Sequence, residues 1–413
     1  MVDTHEKVSH MISVQDALDI TLAETRRLQA EEVSLLQACG YILAEEVFSD
    51  VDMPPFEKSS MDGYAVKYVD LKKAPAVLEV VGWIPAGTHP EFTIRRGQTA
   101  KIMTGAPLPA GADSVQIVEK SEPVADGRVK LLESIAPGGN VARAAEVLKA
   151  GEKVFGAGTY VSPAVVSVLA TVGKSTVKIY RRAEVGILVT GSELVEIDQK
   201  PGLAQIRNSN GYTLYHQALE AGARPQHFGV VRDDADEITE KIEAGLSKDV
   251  LLISGGVSMG DLDLVAGILK KLGVQILYHK VNVKPGKPLA FGKKGRTLVF
   301  GLPGNPVSSS TIFEIFVKPT LLKMMGFRQI HNARVKAVLA ADFRHKSKRE
   351  TYHPARTVCA DGQFHVTPLQ SKGSADVLAF AKSNSFLILP GDRPAYDRGD
   401  QVEVMLRSEV WKT

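Results

Sequence analysis

Between Arg181 and Phe327 short apolar runs alternate with amphipathic stretches, and this alternation narrows the fold more than any other feature of the chain. Val185–Val189, Gln226–Val231, Val250–Ser254, Gln275–Val281 and Thr297–Leu302 have the length and character of strands. Helices are predicted from Asn208–Ser209 to near Glu220, over Ala235–Leu246 and Leu262–Leu272, and onward from Asn305 with Pro306 at its first position. Strands alternating with helices need crossover connections, so the sheet is expected to be mostly parallel and covered on both faces.

In an open sheet of this kind ligands bind in the crevice beyond the carboxyl ends of the strands. The motifs lie there. Thr190-Gly-Ser-Glu193 follows the first strand, Asp233 and Asp234 the second, and Ser254-Gly-Gly-Val-Ser-Met-Gly-Asp-Leu-Asp263 the third. Gly301-Leu-Pro-Gly-Asn-Pro306 ends the last strand and opens a helix. Gly255, Gly256 and Gly260 allow a backbone to approach an anion closely, with Ser258 in the same loop. Asp261 and Asp263 add carboxylates, so a phosphate beside a metal-binding acid is coherent chemistry. The same loop reads equally well as a turn with Asp261 as a helix cap. Lys280, Lys284 and Lys287 surround a Pro285-Gly286 turn and suit an oxyanion, or else are solvated surface lysines. Pro303 and Pro306 shape the loop they sit in.

The 413 residues suggest about three domains. A net charge of +3 argues against a protein that coats nucleic acid. Two distant cysteines, Cys39 and Cys359, exclude a disulfide framework and point to a reducing cytosol. No apolar run approaches the roughly 20 residues of a membrane span, and Met1–His10 does not read as a signal peptide. Ser13 and Asp16 resemble a capping box that starts a helix. From Val51 frequent glycine and proline break the chain into short strands, Val77–Val81, Thr99–Met103, Val115–Glu119 and Arg128–Leu132, which read as an all-β module ending near Pro137. Within it Asp62-Gly63 is a turn signal, and Thr104 follows a strand end. Ser162, Pro163 and Gly173 mark both ends of a second helix, expected to pair with the first. Beyond Phe327 the helices stop and strand-like runs close the chain.

The expected domains are therefore residues 8–50 with 141–180, discontinuous and helical; an inserted β module over 51–140; an α/β domain over 181–326; and a C-terminal β-barrel-like domain over 327–413.

Taken together, Ser59-Ser-Met-Asp-Gly-Tyr-Ala-Val66, Met103-Thr-Gly-Ala-Pro107, the Ser254 loop, Lys284-Pro-Gly-Lys-Pro288 and Gly301-Leu-Pro-Gly-Asn-Pro306 match one family in order and spacing. The chain resembles the molybdopterin molybdenumtransferases, the family of MoeA and of the C-terminal domain of gephyrin, along essentially its whole length. The resemblance implies an enzyme that takes adenylylated molybdopterin and molybdate, hydrolyses the adenylate with Mg²⁺, and leaves molybdenum on the dithiolene with release of AMP. It implies a homodimer whose site lies between the α/β domain of one subunit and the β module of the other. Asp62 and Thr104 would come from the second subunit; Glu193, Asp233, Asp263, Lys280 and Lys284 would line the α/β side; Ser374 would approach from the C-terminal domain. Glu193, Asp233 and Asp263 would hold the metal, while Gly255, Gly256, Ser258, Lys287, Pro303 and Pro306 would contact or shape the substrate site. Contact with the molybdopterin adenylyltransferase is a further expectation. The family pattern is broken where an arginine falls on Ala142, an aspartate on Val147 and another arginine on Pro354. That leaves a non-catalytic pterin-binding scaffold, or a tungstate-preferring enzyme, as alternatives.

Overall fold

The run Val250-Leu-Leu-Ile-Ser254 has no polar face, and every residue of it is buried. Such a strand must be covered on both sides. It is β3 of a six-stranded sheet formed by β1 (Glu184–Thr190), β2 (Arg224–Val231), β3 (Val250–Ser254), β4 (Gln275–His279), β5 (Ala290–Lys294) and β6 (Thr297–Leu302), in the order β2-β1-β3-β6-β5-β4. The first three pairings are parallel, whereas β5 runs antiparallel to both β6 and β4. This computed structural model describes residues 11–256 and 264–408.

Helices cover the two faces: α1 (Val14–Glu24), α2 (Asn210–Glu220), α3 (Ala235–Gly245), α4 (Leu264–Lys271), α5 (Pro306–Ile312) and α6 (Lys318–Met324). Leu252 and Phe300 face a core with Leu18, Leu214, Ile312 and Leu321. Leu251 and Ile253, one residue out of phase, face a second core with Ile238, Ile242, Val265 and Ile268. Each such side chain removed from water contributes about 1.5–3 kcal/mol. Between α5 and α6 the helix widens into a π turn, Phe313–Val317, just ahead of Pro319, whose missing N–H breaks the regular ladder.

The C-terminal strands β7 (Arg334–Leu339), β8 (Glu350–Ala360), β9 (Gln363–Pro368), β10 (Ser385–Leu389) and β11 (Gln401–Leu406) pair in the order β8-β9-β7-β11-β10, and β10 pairs back to β8. The sheet is therefore a closed barrel. Tyr352, Phe386 and Met405 of the barrel share a core with the α/β helices. Val283–Lys284 adds to β8 in parallel, opposite Glu350 and Thr351.

The chain forms two compact units, and the elements above belong to the first, drawn from Met1–Glu32, Gly40–Ala44 and Lys178–Thr413. The second unit, Val33–Cys39 with Glu45–Val177, holds a six-stranded sheet built from Ser114–Ile117, Gly63–Val66, Gln98–Ile102, Ala76–Ile84, Arg128–Leu131 and Ser121–Val124 in that order. Its helix Pro163–Thr171 starts on a Ser162 cap and stops before Gly173, which adopts φ +75°.

Two local expectations give way. Asp62-Gly63 is not a free turn: Gly63 opens a strand so close to its neighbour that a Cβ there would lie 1.9 Å from the Gln116 carbonyl oxygen. The strand read as Gln275–Val281 ends at His279, because Lys280 takes φ +67°.

Candidate functional site

β1 and β3 lie side by side, but the chain leaves β1 for β2 on one flank and β3 for β4, beyond β6 and β5, on the other. A crevice must open beyond their carboxyl ends. Gly255 (φ +94°) and Gly256 (φ +58°) follow β3, and a Cβ on Gly255 would stand 2.3 Å from the Thr190 carbonyl oxygen at the end of β1. Only glycine fits there. The Gly255 N–H donates to Leu302 O at the end of β6, 3.2 Å away, so three strand ends are drawn together.

The crevice is a cavity of about 770 Å³. Its wall includes Glu193 and Asp233, Gly255 and Gly256, Pro303 and Pro306, with Ala375 and Val377 from the C-terminal domain. Ser192 donates to Asp233 Oδ2 from both its backbone N (3.2 Å) and its Oγ (2.7 Å). This ties the loop after β1 to the loop after β2. Glu193 folds back over Gly191, where a Cβ would lie 2.6 Å from the carboxylate. The donor set of this wall is oxygen-rich, which suits a hard divalent cation. Among the described residues no three of His, Cys, Asp or Glu cluster as a metal site. Asp263 and Ser258 lie outside the described residues.

Asn210, in the first turn of α2, is 7% exposed and joins two walls. Its Nδ2 donates to Ser254 Oγ (2.8 Å) and to Gly304 O (2.7 Å). A carbonyl can only accept, so the carboxamide must present nitrogen to it. The Ser254 hydroxyl in turn donates to Pro303 O at 3.4 Å. Three buried atoms of the cavity residues have no hydrogen-bond partner among the described residues: Thr190 Oγ1, Asn208 Nδ2 and Asn210 Oδ1. The sequence pattern points to Asn208–Ser209 as the helix cap and assigns nothing to Asn210. In fact Ser209 makes no capping bond, and Asn208 Oδ1 accepts from Gly211 N at 3.0 Å. The only signal was a second asparagine one residue further on.

Lys280, Lys284 and Lys287 are exposed on the loop between β4 and β5; the described cavity wall contains their neighbour Pro288 and none of the three. That loop is strapped to the barrel by the Val283–Lys284 pairing and by Arg349 Nη1, which donates to Val283 O at 2.9 Å. Ser374 lies beside Ala375 and accepts, through its carbonyl, the N–H of Val307 at 3.1 Å.

In the second unit Asp62 and Thr104 come together. Asp62 Oδ1 accepts from Thr104 N and from Thr104 Oγ1, both at 2.7 Å. The Thr104 hydroxyl and then its N–H hold the Asp62 carboxyl below the usual carboxylate range. Nearby, Ala142 pairs with Lys58, and Val147 is 67% exposed.

A doubly wound sheet with a polar, glycine-lined cavity at its switch point, joined to a closed β barrel, defines a multidomain α/β ligand-binding protein. Three sequence profiles match in succession: the MoeA N-terminal region (domains I and II) over residues 12–173, a probable molybdopterin binding domain over 186–323, and the MoeA C-terminal region (domain IV) over 336–406. A molybdopterin molybdenumtransferase of Bacillus subtilis is 33% identical over 406 residues, covering 96% of this chain and 94% of its own. One from a Nostoc species is 36% identical over 410 residues, with the same coverage. The crystal structure of a molybdopterin biosynthesis MoeA protein from Pyrococcus horikoshii superposes with a TM-score of 0.83 at 31% identity, covering 96% of this chain and 99% of its own. The chain belongs to the molybdopterin molybdenumtransferase family.

Proposed function

We propose that the chain inserts molybdenum from molybdate into adenylylated molybdopterin, releasing AMP and forming molybdenum cofactor. The observation that carries this reading is the juxtaposition, in one cavity, of the Gly255-Gly256 backbone with the carboxylates of Glu193 and Asp233. The first can approach a phosphate closely, and the second can hold a cation against it. Asp233 Oδ1 takes no donor among the described residues, while Oδ2 is fixed by Ser192, so the carboxylate is oriented and still has a free oxygen. These residues fit Mg²⁺, with Asp263 as a third ligand, and the ion would supply charge neutralisation at the phosphate. Lys280, Lys284 and Lys287 would neutralise the incoming oxyanion from the barrel-strapped loop, with Ser374 on the adjacent segment. A molybdate oxygen, or a water beside it, would add to the AMP phosphorus as the P–O–P bond to the pterin phosphate breaks, so that AMP leaves carrying the new oxygen and the pterin keeps its phosphate. Asp62 and Thr104 would complete the site from a second copy in a homodimer working in the cytoplasm, where the molybdopterin adenylyltransferase would hand over its product.

Incubation of the purified protein with adenylylated molybdopterin, molybdate and Mg²⁺ should release AMP, and chelation of the metal should stop it. Absence of AMP across several oxyanions and divalent metals would overturn the reading. Val147 favours one second reading, because it exposes an apolar side chain where the family pattern has an aspartate. Binding of the adenylylated pterin without AMP release would identify a pterin-binding scaffold, and release with tungstate alone would identify a tungstate enzyme.

A further inference from the structure

Both N–H groups of the Asn210 carboxamide are committed, one to a side chain at the end of β3 and one to the backbone after β6. β3 and β6 are parallel neighbours with Ser254 opposite Leu302, so these two acceptors sit on adjacent strand ends. The third member, Asn210 itself, is anchored in α2, which packs on β1 and β2. One carboxamide thus ties a helix, a strand end and a loop together at a single point. Ser254 extends the junction: its hydroxyl accepts from Asn210 and points its own proton at Pro303 O. The consecutive carbonyls of Pro303 and Gly304 are both turned toward the junction. Because a trans peptide is planar, with C=O and N–H on opposite sides, this fixes how the whole Pro303-Gly304-Asn305 segment faces the cavity it lines. Nothing else in the described structure bonds these two carbonyls.

We propose that Asn210 is a positioning residue for the reaction, acting through Ser254 and Gly304 to hold the two loops of the cavity at their working separation. The proposal rests on the function given above. Its chemistry is specific: serine, threonine and aspartate cannot supply two N–H donors, and glutamine would place them one methylene further out. A loop released from this junction shifts the substrate relative to Glu193 and Asp233. Displacements of about 1 Å at that distance from the chemistry cost on the order of 100-fold in rate.

The test uses full-length protein with Asn210→Asp, which keeps size and removes both donors, and Ser254→Ala, which removes one acceptor. AMP release and equilibrium binding of adenylylated molybdopterin are measured with a thermal melt of each variant. Turnover per folded molecule should fall roughly 10- to 100-fold in Asn210→Asp, mainly in kcat. Ser254→Ala should show a smaller fall, and the double variant should be no worse than Asn210→Asp alone, as expected of residues that act as a unit. Parental turnover in Asn210→Asp, or a loss accounted for entirely by the unfolded fraction, overturns the proposal. If Asn210→Asp does not fold, Ser254→Ala decides, and unchanged kcat overturns it. A parent protein that binds the pterin but releases no AMP fails the proposed function alone. Weaker binding in Asn210→Asp then supports the junction, and unchanged binding overturns it. A parent that neither binds nor turns over overturns both.

Discussion

Asp62 and Gly255 show how much one residue can be fixed by partners far away in sequence. Asp62 is exposed, yet the two donors of Thr104 favour its ionised form. A depressed carboxyl pKa contributes stability that is present above the ordinary value of 3.8 and is lost as pH falls through the lower, folded value. A side-chain carbon NMR titration of Asp62 should therefore give a midpoint below 3.8, and Thr104→Val should move it back up. A midpoint at or above the ordinary value would mean that the Thr104 contacts do not persist in solution. Gly255 is constrained by space as well as by dihedral angle, since its missing Cβ would strike the Thr190 carbonyl. Gly255→Ala should destabilise the first unit by about 1–3 kcal/mol or more in urea unfolding. A variant as stable as the parent would show that the β1 and β3 ends can separate at little cost.

At the scale of elements, the helical segment of α5 and α6 carries a buried charge. Glu314 in the π turn is 6% exposed and accepts from Gln217 Nε2 of α2 (3.1 Å), Asn332 Nδ2 (2.8 Å) and Lys318 Nζ (3.2 Å). Lys318→Met leaves that carboxylate uncompensated and should cost about 3–5 kcal/mol of stability, read by chemical denaturation. A loss below 1 kcal/mol would show that the two amides suffice. How much of each element was legible in the sequence depends on where its determinants lie. β1, β3 and β6 are buried on both faces, so they read as unbroken apolar runs, and the parallel sheet followed from them. Ser13 and Ser162 mark helix starts because a cap is a local bond across three residues. Gly63 misled because its glycine answers to the Gln116 backbone on another strand rather than to a turn. Lys280 ended a strand early through a left-handed backbone that lysine does not advertise. At the site, Glu193, Asp233 and the Gly255 loop could be placed from strand ends alone. Asn210 could not, because its partners lie 44 and 94 residues away and its local setting offered only a capping role.

For the whole molecule, two compact units with separate cores should not melt as one. Calorimetry is expected to give a calorimetric enthalpy larger than the van't Hoff enthalpy. Equality of the two would mean that the units unfold together. The first unit also closes on itself around the long stretch it omits: the N–H of Ala44 donates to the carbonyl of Lys178 at 2.8 Å. Residues 45–177 thus depart from and return to one doorway in the larger unit. The doorway makes that stretch, which is the second unit apart from Val33–Cys39, a detachable cassette. Splicing Ala44 to Lys178 through a few glycines and serines should leave the barrel and the parallel sheet intact, and grafting a foreign domain at the same seam needs only that its own termini lie a few ångströms apart.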